Sequence, residues 1–125
     1  MNCIITGATK GIGRAIAELF AKNGFHLAIA ARNAEALNDL KADLEQRYAI
    51  EVLTFPTDLS RKTEVQRLAD LIPLHWNTVD VLINNAGIFT QGALLDEPDD
   101  SLEKMLNVNL FSAYHLTRAL LPLML

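Results

Sequence analysis

Alternation of short apolar segments with longer amphipathic ones predicts an α/β fold built on a parallel sheet with helices on both faces. A glycine-rich run, Thr6-Gly7-Ala8-Thr9-Lys10-Gly11-Ile12-Gly13, joins the first apolar segment to the first helical one. The chain has 125 residues, 50% of them hydrophobic, which suits one domain with a real core and is too short for two.

Cys3-Ile4-Ile5 is the first strand, and Ile12, Ile16, Leu19 and Phe20 recur at helical spacing after the glycine turn. Asn23-Gly24 closes that helix, and Phe25–Ala31 reads as a strand buried on both faces. From Ala34 to Tyr48, Leu37, Leu40 and Leu44 define an inner helical face, with Lys41, Asp43 and Glu45 opposite. Ile50–Phe55 is a third strand, and Ser60 is the expected N-cap of a helix that turns Val65, Leu68, Leu71 and Ile72 inward. Pro73 should end that helix, because it has no N–H to continue the ladder. Val79–Asn84 is a fourth strand, 85–98 a loop, and Ser101–Leu125 one or two helices rich in Leu and Met. Strands and helices at this spacing give a Rossmann-type doubly wound parallel sheet, truncated after the fourth strand and its following helix.

The glycine run carries chemistry as well as shape. A chain passing tightly from a buried strand into a helix needs residues without a Cβ, and the free amides and positive end of that helix attract a phosphate. A nucleoside triphosphate loop would follow its last glycine with Lys-Ser or Lys-Thr, whereas Arg14-Ala15 follows Gly13. A dinucleotide is the expected ligand. The net charge of −4, with no basic block, argues against nucleic acid as a partner. No apolar run is long enough for a membrane span, and the start lacks a signal-peptide pattern, so a cytoplasmic protein is expected. Cys3, the single cysteine, reads as a small core residue, and no zinc-binding set or disulfide framework exists.

The glycines at 7, 11 and 13, Asp58 after the third strand, Asn84-Asn85-Ala86-Gly87 at the end of the fourth, and Val108-Asn109 beyond it occur in an order that resembles the short-chain dehydrogenase/reductase family. The resemblance covers the whole chain. It implies that the turn containing Gly7, Thr9, Lys10, Gly11, Ile12 and Gly13 lies under the pyrophosphate. It also implies that Asp58, followed by Leu59, bonds the adenine amino group. Asn85, Ala86 and Gly87 would lie beside the adenosine ribose, with Val108 also at the cofactor. Asp58 has a second reading as a turn former bonding its own backbone, and Asn84-Asn85 another as a polar strand terminus; both are compatible with binding.

The dinucleotide is expected to be NADP(H). NAD-selective folds place an acidic residue at the end of the second strand, to bond the ribose 2′-hydroxyl. Ala31 occupies that position here, and Arg32 follows it with a planar fork suited to a 2′-phosphate. Lys10 and Arg14 near a helix N-terminus oppose its dipole unless an anion sits nearby, which a phosphate would supply. The alternative is that all three are solvated surface cations.

In the family, a tyrosine with a neighbouring lysine supplies the proton for the developing alkoxide, a serine holds the carbonyl oxygen, and the asparagine matching Asn109 positions a water in the relay. The alternative for Asn109 is a helix-bending polar residue. The serine and the Tyr-x-x-x-Lys pair belong after a fifth strand that this sequence does not reach. Tyr114 and Arg118 imitate the spacing, but they share a helix with Asn109, and a permanently charged guanidinium cannot replace that lysine. The expectation is therefore the N-terminal cofactor-binding part of a longer single-domain enzyme. It would interconvert a small-molecule carbonyl and an alcohol, and form a homodimer or homotetramer when complete. Without further chain, Leu116, Leu120, Leu121, Leu123 and Met124 should lack part of their cover. Phe89, Leu94 and Leu95 either border the substrate pocket or belong to core or interface. A non-catalytic NADP-binding or regulatory module is the alternative function, whereas a purely structural domain explains neither the glycines nor Arg32.

Overall fold

The computed structural model describes residues 1–89 and 91–125. Strands β1 (Asn2–Thr6), β2 (His26–Ala31), β3 (Val52–Pro56) and β4 (Val81–Ile83) form one sheet in the order β3-β2-β1-β4, and every pairing is parallel. Helices α1 (Gly11–Lys22) and α2 (Ala34–Arg47) connect β1 to β2 and β2 to β3. Helix α3 (Lys62–Leu71) then carries the chain past two strands to β4. The direction of winding reverses at β1, so the carboxyl ends of β1 and β4 flank a crevice of the kind in which open α/β sheets bind ligands.

Side chains leave each strand on alternate faces, so the sheet has a core on either side. Cys3, Ile5, Leu27 and Ile29 pack against α1 and α2, while Ile4, Ala28 and Ala30 face α3. Leu37, Leu40 and Leu44 of α2 are all fully buried, each contributing about 1.5–3 kcal/mol by leaving water. Burial pushes the Cys3 thiol up to about 12, so at neutral pH it is an inert core group and no nucleophile.

Helix α1 presents only part of the face its large apolar residues suggest, Ile16 and Phe20 packing partly on the core. Ile12 and Leu19 are exposed, and the buried positions are Gly13, Ala17 and Ala21. Small residues on that side bring the helix close to the sheet, and no count of bulky side chains reveals such a face. Helix α2 also departs from expectation, because Lys41 and Glu45 do not simply point to solvent. Lys41 Nζ donates to the Val52 carbonyl, and the Val52 amide donates to Glu45 Oε2 at 2.9 Å, so the pair clamps the start of β3. That amide is the main reason the Glu45 carboxyl titrates below its ordinary range.

Helix α3 ends at Leu71 and passes into a 3-10 turn, Ile72–Leu74, that contains Pro73. Its N-cap is Arg61 rather than Ser60. Beyond β4 and a 3-10 turn at Leu94–Asp96, helix α4 (Ser101–Leu106) runs through a π turn (Asn107–Phe111) into α5 (Ser112–Met124). Leu116 and Leu120 are fully buried against the α3 side of the sheet, and Leu123 and Met124 pack partly on the same core. The expected lack of cover is therefore corrected for Leu116 and Leu120, which α3 covers, whereas Leu123 and Met124 are only partly covered and Leu121 is exposed. Phe89, Leu94 and Leu95 are exposed too, so none of them belongs to the core of the described residues.

Candidate active site: a cradle at the carboxyl ends of the strands

The residues singled out from the sequence converge on the carboxyl edge of the sheet. Gly7 follows β1 with φ +66°, a conformation that costs a residue with a Cβ about 1–2 kcal/mol. Its amide donates to the Ala30 carbonyl at 2.9 Å, holding the turn against β2. A Cβ on Gly7 would lie 2.9 Å from Ala86 Cα. One on Gly13 would collide with the Gly7 carbonyl and the Asn85 amide. Gly7 and Gly13 therefore serve close packing of β1, α1 and the segment after β4. Gly11 differs: it has φ +51°, and among the described residues nothing beyond its own turn lies within 4 Å of the place its Cβ would take. Its open side faces space that a ligand can fill.

The segment after β4 is tied to this turn by one buried side chain that sequence reasoning passed over. Thr6, only 3% exposed, accepts on Oγ1 from the amides of Asn85 and Ala86, both at 3.1 Å. Asn85 returns the contact, its Nδ2 donating to the Gly7 carbonyl at 3.1 Å. A polar residue closing an otherwise apolar strand was the signal available for Thr6. Thr6→Val keeps the shape and removes the acceptor from two amides, so it should cost about 2 kcal/mol in denaturant unfolding. An unchanged unfolding midpoint would show that the two bonds contribute nothing net.

At the start of α1, the N-cap residue makes no side-chain cap bond and no acidic residue occupies the first turn. Lys10 is the N-cap, exposed beside the exposed Gly11 and Ile12, with Thr9 half-buried before them. Orphan amides, a positive dipole end and an adjacent cation together make an anion site. Arg14 contributes less to this than expected, because it lies 3.8 Å from Glu18 and 3.9 Å from Asp43, which already supply the anion.

Arg32 is the first residue beyond β2, exposed and in no salt bridge among the described residues. Asp58 lies after β3, where the Thr57 amide bonds the Ala31 carbonyl at 2.8 Å and so draws the two strand ends together. The Asp58 carboxyl is held below its ordinary range, first by the Ser60 hydroxyl, with burial next in size and opposing, and then by the Ser60 amide and the charges of Arg32 and Arg61. It is an acceptor-only group at neutral pH. The turn-forming reading of Asp58 is therefore correct as far as it goes, since Oδ1 accepts from the amide two residues on. Leu59 is 6% exposed with its side chain in the core, so only its main chain can meet a ligand.

Asn84 donates to Thr117 Oγ1 at 3.1 Å, tying the end of β4 to α5. Asn109 spends both ends of its amide on one residue: Oδ1 accepts from the Ile88 amide at 2.7 Å, and Nδ2 donates to the Ile88 carbonyl at 2.8 Å. A Cβ on Gly87 would sit 3.5 Å from that Oδ1, which places Asn85, Ala86 and Gly87 beside the π turn. Val108 lies in the same turn, half-buried, with its carbonyl accepting from Ser112 Oγ at 2.6 Å. π turns inside α-helices recur at functional sites, and Asn109 lies within this one.

Taken together, the edge of the sheet offers an open cradle with an anion site at one wall, a cation and a carboxylate at the ends of β2 and β3, and a main-chain ledge after β4. The family model described as short chain dehydrogenase matches residues 2–125 of this sequence. The chain belongs to the short-chain dehydrogenase family.

Among relatives within this family, dehydrogenase/reductase SDR family member 7B of Bos taurus is 39% identical across 98% of this chain. Epidermal retinol dehydrogenase 2 of Mus musculus is 38% identical across 98% of it. The chain spans 39% and 40% of the lengths of these two proteins. Among solved structures, L-sorbose reductase from Gluconobacter frateurii, complexed with NADPH and L-sorbose, superposes with a TM-score of 0.93 at 29% identity, over 98% of this chain and 47% of that one. An alcohol dehydrogenase from the archaeon Thermococcus sibiricus, complexed with 5-hydroxy-NADP, gives 0.92 at 30% identity, over 98% and 52%. The Rossmann-type sheet is thus shared with oxidoreductases, and no described helix is long and apolar enough to cross a membrane.

Proposed function

We propose that this chain is the NADP(H)-binding part of a short-chain dehydrogenase/reductase that interconverts a carbonyl and an alcohol. The observation that carries the reading is the uncapped start of α1, open above Gly11, with Arg32 rather than an acidic residue at the end of β2. The residues fit the group: the amides from Gly11 to Gly13 and Lys10 take the pyrophosphate, Arg32 the 2′-phosphate, Asp58 the adenine amino group, and the ledge Asn85–Gly87 the ribose. When bound, a reduced nicotinamide supplies the hydride that makes an alcohol of a carbonyl.

The chain's own residues bind and orient. Thr6 and Asn85 fix the distance between the glycine turn and the ledge. Asn109 fixes the ledge to the π turn through Ile88, so a water held at this turn would be met by main-chain groups rather than by the Asn109 side chain. The proton-donating tyrosine with its lysine, and the serine on the carbonyl oxygen, are assigned to chain beyond Leu125. Tyr114 is not that tyrosine, since it is exposed on α5 with its ring edge-on to His115. NADP use, the carbonyl substrate, the assembly into dimers or tetramers and a cytoplasmic setting are all part of this proposal.

The test is a fluorescence titration of NADPH into the complete protein, followed by NADPH oxidation with benzaldehyde and L-sorbose as probe carbonyls. Saturable binding with a dissociation constant on the order of micromolar, together with turnover, is the expected result. Binding with no turnover of any carbonyl would favour the regulatory-module reading, and no binding would end both.

A further inference from the structure

Asp58 is fixed far more firmly than a turn requires. Its carbonyl accepts from the Arg61 amide at 3.1 Å, its own amide donates to Glu64 Oε1 at 2.9 Å, and the next side chain, Leu59, is anchored in the core. These contacts settle the main chain. The carboxylate is then held separately, its Oδ1 accepting from the Ser60 amide at 3.0 Å and from the Ser60 hydroxyl at 2.6 Å. An Asx turn needs only the amide bond. The hydroxyl bond adds nothing to the turn, and Ser60 does not cap α3, whose N-cap is Arg61. What the second bond does is stop rotation of the carboxylate, leaving Oδ2 outside the pair of Ser60 bonds.

We infer that Ser60 is a positioning residue for adenine recognition: by holding Oδ1 of Asp58 through its hydroxyl, it presents Oδ2 to the 6-amino group of the bound base. This rests on the proposed role of Asp58 as the adenine contact. A carboxylate with one oxygen already engaged and no proton of its own discriminates in favour of an N–H donor and against a carbonyl at the same place. Fixing its orientation before binding removes a rotamer cost that an unanchored aspartate would meet on complex formation.

The experiment compares NADPH with its hypoxanthine analogue, which carries a carbonyl in place of the 6-amino group, by equilibrium titration of the complete protein. The unsubstituted protein should bind NADPH more tightly than the analogue. Ser60→Ala should weaken NADPH roughly threefold to tenfold, leave the analogue within about twofold, and so compress the preference. Ser60→Thr, which retains a hydroxyl, should restore it. Equal weakening of both ligands by Ser60→Ala, or no change in either, overturns the inference and leaves the Asp58 assignment intact. If the unsubstituted protein does not distinguish the two nucleotides, the adenine role of Asp58 fails first and this inference falls with it. Unfolding midpoints of each variant, measured without ligand, separate a loss of fold from a loss of recognition.

Discussion

Gly13→Ala is expected to destabilise the protein by about 3 kcal/mol and to abolish NADPH binding, although it adds a single methyl group. The Cβ would collide with the Gly7 carbonyl oxygen and carbon and with the Asn85 side-chain amide. Relief by a small shift is blocked on each side. The Gly7 amide is bonded to Ala30 at 2.9 Å, the Gly7 carbonyl is the acceptor for Asn85, and the Asn85 main chain is held by Thr6. Moving any one of them opens the contact between β1, α1 and the ledge. Gly11→Ala is the control. Its cost comes from φ +51°, about 1–2 kcal/mol, because among the described residues nothing beyond its own turn lies within 4 Å of the added carbon. Denaturant unfolding of the two variants should therefore rank Gly13 as the more damaging site. A Gly13→Ala protein as stable as its parent would show that α1 does not pack where the structure puts it.

That contrast also marks how far a sequence can be read. The three glycines announce a turn, but they look alike in a string of letters. Only the fold separates Gly13, which is spent on packing, from Gly11, which is open to a ligand. The parallel sheet and its two-sided core follow from short apolar runs between amphipathic helices, whereas the order of the strands does not, because doubly wound sheets of the same alternation exist in more than one order. The buried face of α1 was hidden for another reason: Gly13, Ala17 and Ala21 bury little area each, and the exposed Ile12 and Leu19 dominate any count. Side-chain bonds to distant main chain were equally illegible. Thr6 reaches Asn85 and Ala86, Asn109 reaches Ile88, and Lys41 and Glu45 reach Val52, all across separations that only the tertiary fold brings together. Ser60 shows a local preference overridden: a serine before a helix reads as its cap, yet α3 starts one residue later with Arg61 as its N-cap, and the Ser60 hydroxyl donates to the Asp58 carboxylate.

Arg32→Asp is expected to lower the preference for NADPH over NADH by roughly a hundredfold, through two effects of the same sign. The first is loss of a forked cation at the end of β2, where no other described residue pairs with it in a salt bridge. A charge-assisted bond to a phosphate is worth about 1.5–3 kcal/mol, so Arg32→Ala alone should reduce the preference by about tenfold or more. The second is repulsion, because the new carboxylate would face the 2′-phosphate and could instead accept from a ribose hydroxyl, improving NADH. Asp58 makes the substitution informative in another way. Arg32 is one of the charges that hold the Asp58 carboxyl low, so a carboxylate in its place must raise it. The sign follows directly: a carboxyl with a depressed folded value stabilises the protein above its ordinary range and loses that contribution as the pH falls through the folded value. Arg32→Asp should therefore be less stable than the parent near neutral pH, by a difference that closes as the pH falls through the Asp58 range, and should lose adenine binding at a higher pH than the parent does, as Asp58 takes up a proton sooner. Titrations of NADPH and NADH into parent, Arg32→Ala and Arg32→Asp proteins separate these effects. A ratio unchanged in both variants would remove Arg32 from the 2′-phosphate site, and with it the main support for NADP rather than NAD.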